Sequence, residues 1–246
     1  MAEEKHNHEH EHTHDHTHEP VDFIEFDFTA RTEEGVLFDT TLNEVAKAEG
    51  IQLDRELKPL RVPLSPDYML KGLYDLLQDK KPGEYKVTLQ PEDAFGKKDA
   101  KLMKLMNLSQ FRKHDVNPQV GMDVEVDNRR GTVRSVSSGR VYVDFNHPMA
   151  GRVLNYEVVY NRKIDDVKEM LDSFVELTLR MPEALFEASY DKSSKTGSLK
   201  LKIPALPKEM DLELKHMAEG MIKGLDKLVI DYESKKKGSE SKEDKK

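Results

Sequence analysis

A mixed α+β chain, split into several small ordered parts between two low-complexity ends, is what this sequence of 246 residues predicts. Three observations carry that prediction. Short runs of alternating apolar and polar residues recur along the chain and read as strands, because successive strand side chains point to opposite faces. Helical spacing occurs in only a few stretches, most of them short. At both ends the apolar pattern vanishes: residues 1–20 are rich in His, Glu, Thr and Asp, and residues 234–246 are mainly Lys, Ser, Glu and Asp. Neither end can bury enough apolar surface to offset the entropy of ordering it, so both are expected to be disordered.

The elements follow in order. Phe23-Ile24-Glu25-Phe26-Asp27-Phe28 alternates as a strand, Glu33-Glu34-Gly35 is a turn, and Val36-Leu37-Phe38 is a second short strand. Residues 43–50 read as a short helix with Asn43 as its cap and Gly50 as its terminator. Ser65-Pro66-Asp67 is expected to open a second helix, with Met69, Leu70, Leu73, Leu76 and Leu77 on its apolar face. Lys80-Lys81-Pro82-Gly83 stops it, residues 85–89 form a strand, and Pro91-Glu92-Asp93-Ala94-Phe95-Gly96 is a loop. Residues 97–117 are basic and rich in Met and Leu, expected to be irregular apart from a helix near 108–114. Three short strands are then predicted over 122–126, 132–136 and 140–145, enough for a subdomain with one small apolar face. A loop over 146–151 leads to a strand over 153–160, and 161–168 reads as a charged linker. Beyond it the expected order is strand (174–180), helix (182–190), strand (199–203), helix (208–223) and strand (225–232), a compact α+β domain.

Composition excludes several classes. The formal charge of -8 opposes general nucleic-acid binding, which rests on a cationic surface. No apolar run is long enough to span a bilayer, and the His/Glu-rich start lacks the apolar core of a signal peptide. The absence of cysteine removes disulfides and thiol nucleophiles. A cytoplasmic location fits these features. No phosphate-binding glycine loop, nucleophile elbow or metalloprotease helix is present. Taken one at a time, Phe38, Phe95 and Tyr156 are ordinary core residues at strand ends.

Their order in the chain says more. Gly35-Val36-Leu37-Phe38-Asp39-Thr40-Thr41, Met69-Leu70-Lys71-Gly72-Leu73 with Lys81-Pro82-Gly83-Glu84, Pro91-Glu92-Asp93-Ala94-Phe95-Gly96, and Asn146-His147-Pro148-Met149-Ala150-Gly151 with Leu154-Asn155-Tyr156-Glu157-Val158 occur in that sequence. Together they resemble the FKBP-type peptidyl-prolyl cis/trans isomerases. The last block and Gln119-Val120-Gly121-Met122 are similar to the SlyD-type subfamily, and the extra segments to its long archaeal members. The resemblance implies an FKBP-like antiparallel sheet wrapped on a short helix (21–97 and 144–163), a small β-rich inserted chaperone domain (98–143), and an appended α+β domain (168–233).

It also implies roles. Phe38, Asp39, Phe95, Tyr156 and the backbone N–H of Leu70 would serve catalysis. Phe28, Met69, Leu73 and Ala94 would line the proline pocket, and His147, Pro148 and Met149 would cover it. Leu102, Met103, Met106 and Phe111 of the insert would hold unfolded chain, methionines being adaptable contacts. Three positions depart from the family pattern: Leu73 replaces a frequent Trp, Phe95 lacks a Tyr hydroxyl that bonds ligands, and Phe28 lacks another. No cofactor is required for turning a proline bond.

His6, His8, His10, His12, His14, His16 and His18 offer several ligand sets for Ni²⁺ or Zn²⁺, and the alternative is a solvated tail. The expected partners are unfolded or nascent proline-containing chains, with neither nucleic acid nor membrane. The C-terminal domain would serve either a homodimer or substrate binding. Two other functions remain open on sequence alone: a holdase with little catalysis, and a nickel- or zinc-handling protein.

Overall fold

Strand β1 (Phe23–Thr32) shows how the alternation was used: Ile24, Phe26, Ala30 and Thr32 are buried on one face. The computed structural model describes residues 19–233. β2 (Leu37–Thr40) pairs antiparallel with β1, with Thr29 opposite Thr40. Helix α1 (Asn43–Ala48) is capped by Leu42, not by Asn43 as expected. The Asn43 amide instead bonds the backbone of Leu57 twice, at 3.0 and 2.9 Å, which ties down the following loop. After β3 (Leu60–Pro63), helix α2 (Lys71–Leu77) starts six residues later than Ser65 suggested. Ser65 makes a local turn, accepting from Asp67 N at 3.4 Å, and Leu70 is extended at ψ 137° before the helix begins. Met69 and Leu70 therefore lie on the approach to α2. β4 (Gly83–Leu89) ends in a 3₁₀ turn over Pro91–Asp93.

The Met/Leu-rich stretch is more regular than its sequence suggested. A 3₁₀ turn over Ala100–Leu102 leads into β5 (Met103–Asn107) and α3 (Leu108–Arg112). With β6 (Asp123–Val126), β7 (Arg129–Ser137) and β8 (Arg140–Asp144), β5 completes an antiparallel sheet of four strands in the order β5-β8-β7-β6, where three were expected. Its hairpins are tight because Asp127 (φ 51°) and Asn128 (φ 58°), then Ser138 (φ 47°) and Gly139 (φ 77°), occupy the left-handed region that two-residue turns require. Phe111, Val124, Val133, Val141 and Val143 form the core of this sheet.

β9 (Leu154–Ile164) returns to the first sheet, whose order is β2-β1-β9-β4 with β3 also on β1. This strand runs through the first half of the expected linker, and helix α4 (Val167–Thr178) begins before its end. Residues 24–163 make up one unit, and among the described residues 19–23 and 164–233 make up the other.

In that second unit two assignments reverse. Residues 174–180 are not a strand: 174–178 are the end of helix α4, Leu179 is its C-cap and Arg180 turns away at φ 50°. Met170, Leu171, Phe174 and Val175 are buried at helical spacing, and the Asp166 carboxylate accepts from Glu169 N at 2.9 Å to cap the helix. The expected helix over 182–190 is a single 3₁₀ turn (Glu183–Leu185) followed by β10 (Phe186–Asp191). Pro182 sits outside that turn as its cap, and β10 then alternates from the buried Phe186. β11 (Thr196–Leu201) pairs antiparallel with β10. Helix α5 (Lys208–Met221) then crosses over to β12 (Lys227–Tyr232), which lies parallel to β11. Gly197 allows Leu171 and Leu228 to close over the sheet, where an added Cβ would lie 2.9 and 3.2 Å from them. Val21 makes a parallel bridge to Ile222 in the same unit. Among the described residues no helix is long and apolar enough to cross a membrane.

Candidate functional site

Five rings from five separate stretches meet at the first sheet. Phe28 on β1 lies 5.8 Å from Tyr156 on β9, and Tyr156 lies 6.1 Å from Phe38 on β2 with the rings edge-on. Phe38 in turn meets Phe95, which follows the 3₁₀ turn, edge-on at 6.4 Å. His147 stacks flat on Phe95, with centroids 4.1 Å apart and planes 6° from parallel. These spacings fall within the range where aromatic pairs add to simple burial. Tyr156 is buried, whereas Phe28, Phe38 and Phe95 are half-buried and leave ring surface open.

Hydrogen bonds fix the strands that carry these rings. Thr40 Oγ1 donates to Phe28 O and Thr41 Oγ1 accepts from Phe28 N, both at 2.9 Å. Thr41 Oγ1 also donates to Asp27 Oδ1 at 2.7 Å, while Asn161 donates to the other Asp27 oxygen at 2.8 Å. Thr40, Thr41, Asp27 and Asn161 thus hold β1, β2 and β9 together beneath the rings. Sequence reasoning missed this clamp, because its members lie up to 134 residues apart. Helix α2 packs against the end of β4 and the turn that leads to Phe95. Gly72 on α2 leaves no room for a Cβ, which would overlap Leu89 and press on Asp93 at 3.2 Å. Lys71 bridges Asp75 at 2.9 Å and Asp93 at 2.8 Å, joining the helix to the turn before Phe95.

Asp39 is the carboxylate adjoining the rings. The residue is exposed, but partial desolvation of its carboxyl pushes its pKa above the ordinary value, against a 2.9 Å bond from Thr40 N that pulls it down. Burial, and then the Asp39 charge, push the Tyr156 phenol well above its usual range, so it stays protonated as a donor. The chemistry available here is an apolar, aromatic wall with one phenol and one carboxylate at its edge.

The other expected residues divide by location. Leu73 is buried on α2, Met69 and Leu70 are half-buried before it, and Ala94 is half-buried beside Phe95. His147 and Pro148 are exposed and Met149 half-buried in the turn after β8, where Met149 N donates to His147 Nδ1 at 3.2 Å. On the second sheet, Leu102 and Met103 are half-buried. Phe111 is 5% exposed, so it is first a core residue, and Met106 packs against that core. Met106 and Phe111 also floor a concavity of about 650 Å³ with Val116, Met122, Val124 and Val126. Lys113, His114, Asp123, Glu125 and Asp127 border it. The contribution of β6 to this groove was missed, although its alternation was visible. The seven histidines of the N-terminal stretch lie outside the described residues. Among the described residues no group of three or more His, Asp or Glu side chains is placed to hold a metal ion.

Comparison with known proteins bears on both sheets. Residues 104–149 match the family model described as "FKBP26, IF domain". A short-type peptidyl-prolyl cis-trans isomerase of Methanocaldococcus jannaschii is 28% identical over 149 residues, 60% of this chain and 92% of that protein. The FKBP-type isomerase SlyD of Aeromonas hydrophila is 30% identical over 152 residues, covering 61% of this chain and 64% of its own length. A probable FKBP-type 16 kDa isomerase of Pseudomonas fluorescens is 28% identical over 152 residues, 60% of this chain and 89% of its own. The motif order, the ring cluster on the first sheet, the matched second sheet and these relatives converge on one likeness: the chain is similar to FKBP-type peptidyl-prolyl cis-trans isomerases, SlyD-type members among them.

Proposed function

We propose that the ring cluster twists X-Pro bonds and that the groove on the second sheet holds the unfolded chain presenting them. The observation that carries this reading is the continuous set of rings from Phe28 through Tyr156, Phe38 and Phe95 to His147, with Asp39 beside it. Rotating a peptide bond breaks amide conjugation, a barrier of about 18–20 kcal/mol. The planar amide is more dipolar than the twisted one, so an apolar wall disfavours the starting state more than the transition state. Proline stacks its ring against Phe38 and Tyr156, with Leu73, Met69 and Ala94 behind it. Leu70 donates its backbone N–H to a substrate carbonyl, so that one side of the bond is anchored while the other turns. Asp39 polarises the rim, and His147, Pro148 and Met149 lie over the bound residue. Neither nucleophile nor cofactor takes part.

Residues 98–143 act as the inserted chaperone domain, joined to an isomerase domain made of 21–97 and 144–163. Holding a client in the groove raises the local concentration of its prolines at the ring cluster without tightening the cluster itself. Leu102 and Met103, half-buried at the start of the same sheet, add apolar surface for the client. On the same reading the protein works in the cytoplasm on unfolded or nascent chains. Its His-rich stretch binds Ni²⁺ or Zn²⁺ and loses them as the imidazoles protonate. The domain over 168–233 either pairs two copies or adds client-binding surface.

A holdase with little turnover is the second reading, favoured by the missing hydroxyls at Phe28 and Phe95. Refolding of a protein limited by a trans-to-cis proline step separates the two. Catalysis by the full chain that disappears in Phe38→Ala supports the isomerase; suppressed aggregation with an unaccelerated slow phase supports the holdase.

A further inference from the structure

The two chain passages that join the sheets run side by side, and one side chain knits them. Phe145 N donates to Leu102 O at 2.9 Å, the last backbone bond before the passages leave ladder geometry. One residue on, the Asn146 side chain takes over. Its Oδ1 accepts from Asp99 N at 2.8 Å and its Nδ2 donates to Asp99 O at 3.1 Å, so the amide mimics the paired bonds of a neighbouring strand. The second Nδ2 hydrogen goes to Asp144 Oδ1 at 2.8 Å, which uses all the hydrogens of the amide and fixes which way it faces.

Asp144 is 2% exposed and anchors the whole arrangement. Its Oδ1 also accepts from Asn146 N at 3.0 Å, and its Oδ2 accepts from Lys98 Nζ at 3.1 Å and Arg134 Nε at 3.2 Å. A buried carboxylate with this many donors, two of them cationic, holds one geometry, because losing any partner leaves charge uncompensated.

The strap that follows, residues 146–151, is pinned at both ends. Asn146 is bonded to Asp99, and Gly151 N donates to Gly96 O at 2.8 Å. Gly151 can take this place because it adopts φ 74° beside Lys98. Between the two pins, His147 lies flat on Phe95. With its backbone relieved of pairing by its own side chain, Asn146 can turn the chain, and the very next residue reaches the ring.

We infer that Asn146, anchored by Asp144, is a positioning residue that sets the stack of His147 on Phe95 and so the seating of the strap over the proline site. The inference rests on the pocket reading above only for its catalytic consequence. A carboxylate introduced at 146 has no donor for Asp99 O and sets like charge against Asp144, whereas alanine removes the clasp without new charge.

Asn146→Asp and Asn146→Ala are compared with the natural full-length chain by His147 ring-proton shifts and by kinetics on a short proline peptide. Stacking on Phe95 displaces the His147 ring protons upfield, and both variants lose that displacement. KM rises about fivefold at nearly constant kcat, since a loosened cover weakens binding while a merely unfolded fraction would lower kcat alone. In a His147→Ala background the change at 146 adds nothing further, because both act through one contact. Retention of the His147 shifts in both variants overturns the clasp whether or not the peptide is turned over. Lost shifts with additive kinetic effects overturn the positioning role.

Discussion

The ring cluster on the first sheet and the groove on the second are both apolar, yet they are made of opposite materials. The cluster uses rigid rings on strands clamped by Thr40, Thr41, Asp27 and Asn161. The groove uses Met106 and Met122, flexible side chains next to a short helix and an edge strand, and a border of both charge signs. Rigid rings suit an event with one geometry, the half-turned amide. Methionines suit many chains of no fixed shape. On the proposed reading, the contrast teaches that selectivity for a bond and tolerance of sequence would be kept on separate sheets, so that each could vary without spoiling the other.

Phe38→Ala should break the comparison most sharply. Losing the ring that contacts both Tyr156 and Phe95 is expected to lower kcat/KM on a proline peptide about 50-fold, close to 2.3 kcal/mol of transition-state stabilisation. Binding of a permanently unfolded protein by the groove should hardly change; equal losses in both assays would mean that the two regions are one site.

Strong acid should loosen the join between the regions. Burial alone would raise the Asp144 pKa, but hydrogen bonds from Asn146 and Lys98 bring it down to about 2. A carboxyl depressed in the folded state stabilises the fold fully above its unfolded pKa of about 3.9, and that stabilisation is lost as pH falls through the folded value. On the order of 2 kcal/mol should disappear between roughly pH 4 and 2, and Asp144→Asn should flatten that part of the pH dependence in thermal melts.

Asp39 titrates the other way. Because its pKa is raised, activity that needs the carboxylate should fade on acidification at a higher pH than an ordinary aspartate would give. Asp39→Asn should remove that limb of the pH–rate profile and reduce peptide turnover about tenfold. An unshifted limb in the variant would assign it to another group.

The smallest effect is expected in the groove. Met122→Ala, at a side chain that is already exposed, should weaken holding of an unfolded protein about threefold and leave peptide turnover unchanged. A larger loss on peptides than on unfolded protein would reverse the roles of the two regions.

The rings were legible in the sequence because each sits in a short motif of fixed spacing. β1, β4 and α5 were legible from period alone. Residues 174–180 were misread because Phe174, Val175 and Thr178 favour strands locally, while the burial of Met170, Leu171, Phe174 and Val175 follows a helix. β5 escaped because Met103, Leu105 and Met106 form an apolar run whose period does not discriminate between structures. The Thr and Asn clamps escaped for a different reason. A side chain that bonds a backbone group 47 residues away, as Asn146 does with Asp99, leaves no local periodic trace.

The bridge between Val21 and Ile222 has a consequence for the order in which the chain becomes structured. Its hydrogen bond, from Val21 N to Met221 O at 3.0 Å, joins residues two hundred positions apart. During synthesis that contact cannot close until nearly the whole described chain has emerged. Residues 24–163, by contrast, hold all the strands of their two sheets within one continuous stretch, apart from a terminal residue of β1 and of β9. The rings and the groove can therefore assemble on the nascent chain first, and the unit that contains residues 19–23 is completed last. A ribosome-bound chain stalled once residue 163 has cleared the exit tunnel should already protect the backbone amides of β7 and β8 from hydrogen exchange, while β12 has yet to be made and cannot pair with β11.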